Sequence, residues 1–265
     1  MDLFRFRRGT SPLLVSVPHA GTYLPEEIRA RLTEAAIALP DTDWHVDRLY
    51  DFLDGLGASV LVATHSRYVI DLNRPPDNTN LYPGQDTTGL VPIDTVARAI
   101  VYLPGETPGG REVAARREQY WQPYHEHLAK ELARIRAAHG YALLWDAHSI
   151  PSEVPRFFSG RLPDLNVGTN GGASCVPALE AVVFAAARRA AGYSSVLNGR
   201  FKGGYITRHY GRPAERIHAI QLELSQRTYM DEPPPFAFRD DLAAGIRPVL
   251  RTMLEVYLDA AAGAA

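Results

Sequence analysis

The chain predicts an α/β fold, a mainly parallel or mixed sheet with helices on both faces. Three observations lead there. Short apolar runs alternate with longer segments of helical spacing from residue 13 to residue 262. The run Tyr141-Ala142-Leu143-Leu144-Trp145 is continuously apolar, as a strand covered on both faces must be, and turns polar at Asp146. Finally, three strand-like runs end in ionisable residues: Val17-Pro18-His19, Trp145-Asp146-Ala147-His148 and Leu222-Glu223. The carboxyl ends of strands in an open α/β sheet converge on one crevice, so residues far apart in sequence can meet there.

Taken in order, Leu13–Val17 reads as a short buried strand, and residues 24–39 as a helix with Pro25 near its start. Asp43 is a good helix cap for a segment with Val46, Leu49, Tyr50 and Leu53 on one face, ended by Gly55 and Gly57. Residues 59–63 and 68–72 read as strands. Residues 73–110, rich in Pro, Gly, Asn, Asp and Thr, form a long irregular excursion, and loops of that length usually serve function. A long charged helix spans 111–139, with Pro123 expected to kink or break it. A second irregular stretch covers 149–174. Helix 175–191, strand 194–197, a Gly-rich segment 199–211, strand 217–224 and helix 238–262 complete the chain.

No repeat, low-complexity tail or linker divides the sequence, so 1–265 is expected to be a single domain with excursions at 73–110 and 149–174. A formal net charge of −2 provides no global field to recruit nucleic acid or an anionic membrane. The single cysteine, Cys175, excludes an intramolecular disulfide and suits a reducing compartment. The first residues lack the apolar core of a signal peptide, and no apolar run reaches bilayer length. The expectation is a cytoplasmic protein.

His19 and His148, with an acidic segment at Asp43-Trp44-His45-Val46-Asp47, make a plausible catalytic zinc site. From the residues alone the middle ligand is open: Asp43, His45 or Asp47 can supply it, and Asp43 is equally a helix cap. Asp146, two residues before His148, can orient a histidine or hold water. Glu223 lies in an apolar strand where an unpaired charge is costly, so it requires a partner. Arg67 and Arg74 flank an apolar stretch and suit carboxylate binding, or else a structural pair with Asp71. The segment from Gly199 to Gly211 crowds glycines with Arg200, Lys202, Thr207 and Arg208, and matches no phosphate loop. No Gly-x-Ser-x-Gly elbow is present.

Six stretches in order carry a resemblance that covers nearly the whole chain. They are Ser16-Val17-Pro18-His19-Ala20-Gly21, Asp43-Trp44-His45-Val46-Asp47-Arg48-Leu49-Tyr50, Ile70-Asp71-Leu72-Asn73-Arg74-Pro75, Asp146-Ala147-His148-Ser149, the Arg200-to-Gly211 segment and Gln221-Leu222-Glu223-Leu224. Together they resemble the N-formylglutamate amidohydrolase (deformylase) family of histidine catabolism. The resemblance implies a three-layer α/β/α core with a mixed central sheet, similar to zinc carboxypeptidases and amidases. It also implies hydrolysis of N-formyl-L-glutamate to formate and L-glutamate. One divalent ion, zinc with cobalt as an alternative, would be held by His19, Asp43 and His148. The carboxypeptidase His-x-x-Glu pair is absent, since Glu26 and Glu27 lie too far beyond His19, and Asp43 is preferred over Asp47. Glu223 would be the general base, Arg208 would help stabilise the oxyanion, and Arg67, Asn73, Arg74 and Arg200 would receive the substrate carboxylates. Two alternatives remain: another metal-dependent amidase or carboxypeptidase, and a metal-free binding protein of the same fold.

Overall fold

A computed structural model describes residues 1–264. Seven strands form one mixed sheet: β1 (Phe4–Arg7), β2 (Leu13–Val17), β3 (Ser59–Ala63), β4 (Ala142–Ile150), β5 (Leu165–Gly168), β6 (Ser195–Leu197) and β7 (Ile217–Ser225). Their spatial order is β1-β3-β2-β4-β7-β5-β6. The central strands β3, β2, β4 and β7 are parallel, whereas β1 and β5 run antiparallel to their inner neighbours. The α-helices are α1 (Glu26–Arg29), α2 (Glu34–Ile37), α3 (Val46–Leu49), α4 (Gly110–Arg116), α5 (Gln122–His139), α6 (Pro177–Arg189), α7 (Tyr205–Tyr210) and α8 (Asp240–Ala264).

Alternation along the strands separates two apolar layers. Leu13, Val15, Leu143, Trp145, Ile220 and Leu222 pack on one side with residues of α6 and α8 such as Val183, Leu250 and Leu254. Leu14, Ala142, Leu144 and Ala219 pack on the other with Leu128, Leu132 and Ile135 of α5. The result is the three-layer α/β/α arrangement expected from the sequence.

Several local expectations fail for identifiable reasons. Residues 24–39 do not form one helix. Thr33 donates its hydroxyl to the Ile100 carbonyl and its N–H to the Val101 carbonyl, and this long-range pairing splits the segment into α1 and α2. Asp43 is not a helix cap: α3 begins after His45, which is left-handed (φ 62°), and runs into a 3-10 segment, Asp51–Leu56. Residues 68–72 are not a strand. The buried Arg116 guanidinium donates to the carbonyls of Tyr68 and Val69 (3.3 and 3.1 Å), replacing a neighbouring strand as their partner. At Pro123 the long helix does not break; a π-helical turn, Arg117–Trp121, links α4 to α5, where proline sits in the first turn and needs no N–H partner. The sequence reading missed β1, and it missed β5 inside 149–174 and α7 inside 199–211, all too short to carry a periodic signal. No helix among the described residues is long and apolar enough to cross a membrane.

The loop after β2 is pinned by close backbone approach. A Cβ on Gly21 would lie 2.3 Å from the His65 carbonyl oxygen and 2.5 Å from the Thr64 carbonyl carbon. Gly21→Ala should therefore destabilise the protein by about 1–3 kcal/mol in urea unfolding. Gly55→Ala, where an added Cβ meets nothing within 4 Å, should stay within about 0.5 kcal/mol of the parent.

Candidate metal centre

The chain passes from β2 to β3 on one side and later returns to β4 on the other, so the crevice of this sheet opens at the carboxyl ends of β2 and β4. His19 follows β2 by two residues, and His148 lies near the end of β4. Because Trp145, Ala147, Leu222 and Leu224 face the α6–α8 layer, Asp146, His148, Gln221 and Glu223 face the opposite side. Register completes the set: Asp146 pairs with Gln221 and His148 with Glu223 across β4 and β7.

The two histidines share one carboxylate oxygen. Asp43 Oδ2 lies 3.0 Å from His148 Nδ1 and 3.8 Å from His19 Nδ1, and it also accepts the Ser149 N–H at 3.2 Å. One donor atom from each of His19, Asp43 and His148 lies within 4.8 Å of the others, and all three residues are buried. The Asp43 N–H donates to the His19 carbonyl at 3.0 Å, tying those two backbones together. The outer nitrogens are anchored by separate carboxylates. His19 Nε2 is 2.7 Å from Asp71 Oδ1, and His148 Nε2 is 3.1 Å from Asp146 Oδ2. An imidazole that donates its outer N–H to a carboxylate presents its other nitrogen as a lone pair, the usual support for a metal-ligating histidine. The donor set therefore fits a divalent ion.

Electrostatics follow from burial and charge. Burial pulls His19 below the ordinary histidine value, and nearby Arg67 adds to this. Burial acts the same way on His148, but Asp146 and Asp43 outweigh it and hold the imidazole well above that value. Burial alone would raise Asp71; Arg67, Arg74 and His19 prevail and keep it well below the carboxylate range. Glu223 is pushed up to about 8 by burial, with Asp43 and Asp146 adding to the effect against His148 and Arg67.

These residues open into a cleft enclosing about 690 Å³ of empty space, part of it open to solvent. Arg67, Asn73, Arg74 and Arg200 all line it. Arg67 is paired with Asp71 at 2.6 Å, so the structural pairing foreseen for it exists within the cleft wall. Arg74 is steadied by the Thr88 carbonyl and hydroxyl (2.8 and 2.9 Å), and Arg200 by the carbonyls of Phe157 and Asp86 (2.9 and 3.0 Å). Burial lowers the pKa of both Arg74 and Arg200, so an anion beside them would be favoured.

Three sequence candidates lie elsewhere. Arg208 is not among the residues lining the cleft; it donates to the Gly203 carbonyl and packs over the Tyr82 ring, 4.8 Å from its centroid. Tyr82 itself lines the cleft. Asp47 is paired with Arg5, and His45 Nε2 lies 2.8 Å from the Phe236 carbonyl oxygen. Asp71 and Gln221, neither of them a candidate from sequence, join the site through His19 and Glu223. The signal for Asp71 was available, because an aspartate between Ile70 and Leu72 needs a buried partner as much as Glu223 does.

The mixed sheet with helices packed on both faces is a three-layer α/β/α fold. A family model described as N-formylglutamate amidohydrolase matches residues 11–230. The N-formylglutamate deformylase of Pseudomonas aeruginosa is 56% identical over 257 residues, covering 97% of this chain and 96% of that protein. That of Pseudomonas putida is 53% identical over 253 residues, covering 96% and 94%. The crystal structure of N-formylglutamate amidohydrolase from Ralstonia eutropha JMP134 superposes with a TM-score of 0.84 at 26% identity, covering 99% of this chain and all of the other. The chain belongs to the N-formylglutamate amidohydrolase family.

His19→Ala, His148→Ala and Asp43→Ala should each lose tightly bound divalent metal, measured by elemental analysis of the folded variants. Asp47→Ala should retain it. The reverse result for the two aspartates would move the third ligand to Asp47.

Proposed function

We propose that this chain catalyses the metal-dependent hydrolysis of N-formyl-L-glutamate to formate and L-glutamate, the deformylase step of histidine degradation. It would act in the cytoplasm as a single metallohydrolase domain. The observation that carries this reading is one cleft containing a two-histidine, one-aspartate donor set, a separate buried carboxylate and a wall of arginines. The names of the Pseudomonas relatives point to the same substrate.

His19, Asp43 and His148 would hold the ion, zinc first among those this donor set accepts. When bound, it would supply Lewis-acid polarisation of the formyl oxygen and make a nearby water more acidic. Glu223 takes a proton from the water that adds to the formyl carbon. It then delivers that proton to the amide nitrogen as the C–N bond breaks, releasing formate and the amine of glutamate. Burial raises its pKa to about 8, and a divalent ion at the neighbouring donor set would favour the carboxylate form that accepts the first proton. Gln221 steadies the carboxylate by donating to Oε2 at 3.2 Å. Arg67, Arg74 and Arg200, all lining the cleft, bind and orient the two substrate carboxylates. Asn73 acts on the protein side of the cleft, and Arg208 supports the wall through Tyr82. Residues of both excursions line the cleft and Arg156 ties them together through Asp86 and Asp94 (2.9 and 2.8 Å), an enclosure that suits a small diacid better than a peptide chain.

Glu223→Gln should keep wild-type metal content and substrate affinity while kcat falls at least ~10²-fold, measured as formate release. Loss of metal in this variant, with retention in Asp43→Ala, would make Glu223 the third ligand. N-formylglutamate should be preferred over N-formylglutamine by ~2–5 kcal/mol in kcat/KM, since the neutral amide leaves a buried guanidinium unpaired. Equal kcat/KM values for the pair would remove the side-chain carboxylate clamp.

A further inference from the structure

Two buried primary amides stand beside the catalytic groups, and the start of α7 orients both. Asn73 Oδ1 accepts the Ile206 N–H at 2.8 Å, while its Nδ2 donates to Asp146 Oδ2 at 3.3 Å and lies 2.9 Å from His148 Nε2. Gln221 Oε1 accepts the Gly204 N–H at 2.7 Å, and its Nε2 donates to Glu223 Oε2 at 3.2 Å. A backbone N–H can pair only with the oxygen end of an amide, so each contact decides which way its amide faces. In both cases the NH2 is turned toward the site. Gly204 is also packed directly on Asn73: a Cβ there would lie 2.4 Å from Nδ2 and 2.5 Å from Cγ and Oδ1. The segment is held from outside by Tyr82, whose hydroxyl donates to the Gly203 carbonyl at 2.9 Å and accepts the Lys202 N–H at 3.2 Å.

The geometry points to the backbone from Gly204 to Ile206 as a positioning platform: through Asn73 it sets the Asp146 carboxylate that holds the His148 ring, and through Gln221 it sets the Glu223 carboxylate. Gly204, Asn73 and Gln221 are thus positioning residues, and only a residue without a side chain fits at 204. This role rests on the deformylase reading and explains why Asn73, although it lines the cleft, spends its amide on the protein. It also links the loop bearing Arg200 and Phe201, which line the cleft, to the ligand and base on β4 and β7.

The test uses Asn73→Ala, Gln221→Ala, Gly204→Ala and the double variant Gly204→Ala/Asn73→Ala. Zn²⁺ affinity is read by chelator competition, kcat and KM at saturating Zn²⁺, and folding by thermal melts. Asn73→Ala should weaken Zn²⁺ binding about 10–100-fold, as loss of support behind a ligating histidine does. Gln221→Ala should keep that affinity and lose about tenfold in kcat with KM unchanged, as a displaced catalytic group does. Gly204→Ala should show both defects, and the double variant should bind Zn²⁺ no more weakly than Asn73→Ala, because one pathway carries the effect. Wild-type affinity in Asn73→Ala, or multiplying losses in the double variant, would overturn the platform. If Gly204→Ala does not fold, the two amide variants decide: affinity loss confined to Asn73→Ala with kcat loss in Gln221→Ala supports the platform, and any other pattern refutes it. A wild-type protein that neither binds Zn²⁺ nor releases formate would instead refute the deformylase reading.

Discussion

Asp43, Asp71, Asp146 and Glu223 are all buried around His19 and His148, and desolvating that much negative charge is the constraint on which the surrounding structure turns. Each carboxylate has a specific answer. Asp71 takes Arg67 on one oxygen and His19 with the Asn73 N–H on the other. Asp146 faces His148 and Asn73, and Asp43 gathers His148 and the Ser149 N–H. Among the described residues the side-chain donor to Glu223 is the neutral amide of Gln221, and burial raises the Glu223 pKa. Arg67 and Arg74, 2.6 and 3.8 Å from Asp71 Oδ2, offset part of the charge, and a divalent cation at the shared donor set would offset more of it.

The same constraint explains the irregular backbone around the cleft. A regular strand over 68–72 would have satisfied its main chain internally; here Arg116 satisfies the Tyr68 and Val69 carbonyls and leaves Asp71 and Asn73 turned toward the histidines. Two residues of one loop thereby reach the outer nitrogens of both rings. The long excursions are likewise ordered by buried or half-buried guanidiniums. Arg156 joins Asp86 to Asp94, and Arg200 ties Phe157 to Asp86. Arginine does this well because its planar fork meets several acceptors at once and stays charged when buried.

Most of the sheet was legible in the sequence, because strands buried on both faces leave continuous apolar runs: Leu13–Val17, Tyr141–Trp145 and the start of β7 all announced themselves. Elements of three to six residues such as β1, β5 and α7 were not legible, since their formation depends on what they pair with. The candidate residues followed the same division. His19, His148 and Glu223 stood out as polar interruptions at strand ends, and the structure brings them to one cleft.

By itself, then, the sequence determined the layer architecture, the family and the strand-end residues, because hydrophobic periodicity and ordered motifs are local properties of the chain. Only the tertiary structure decided between Asp43 and Asp47 as neighbour of the histidines, turned Asp43 from helix cap to shared acceptor, and withdrew Arg208 behind Tyr82. It alone revealed Asp71 and Gln221 as partners of His19 and Glu223. The histidine contacts depend on segments far apart in sequence, 52 residues for Asp71 with His19 and 105 for Asp43 with His148. They are fixed by strand register and by the need to pair every buried charge, neither of which a local pattern encodes.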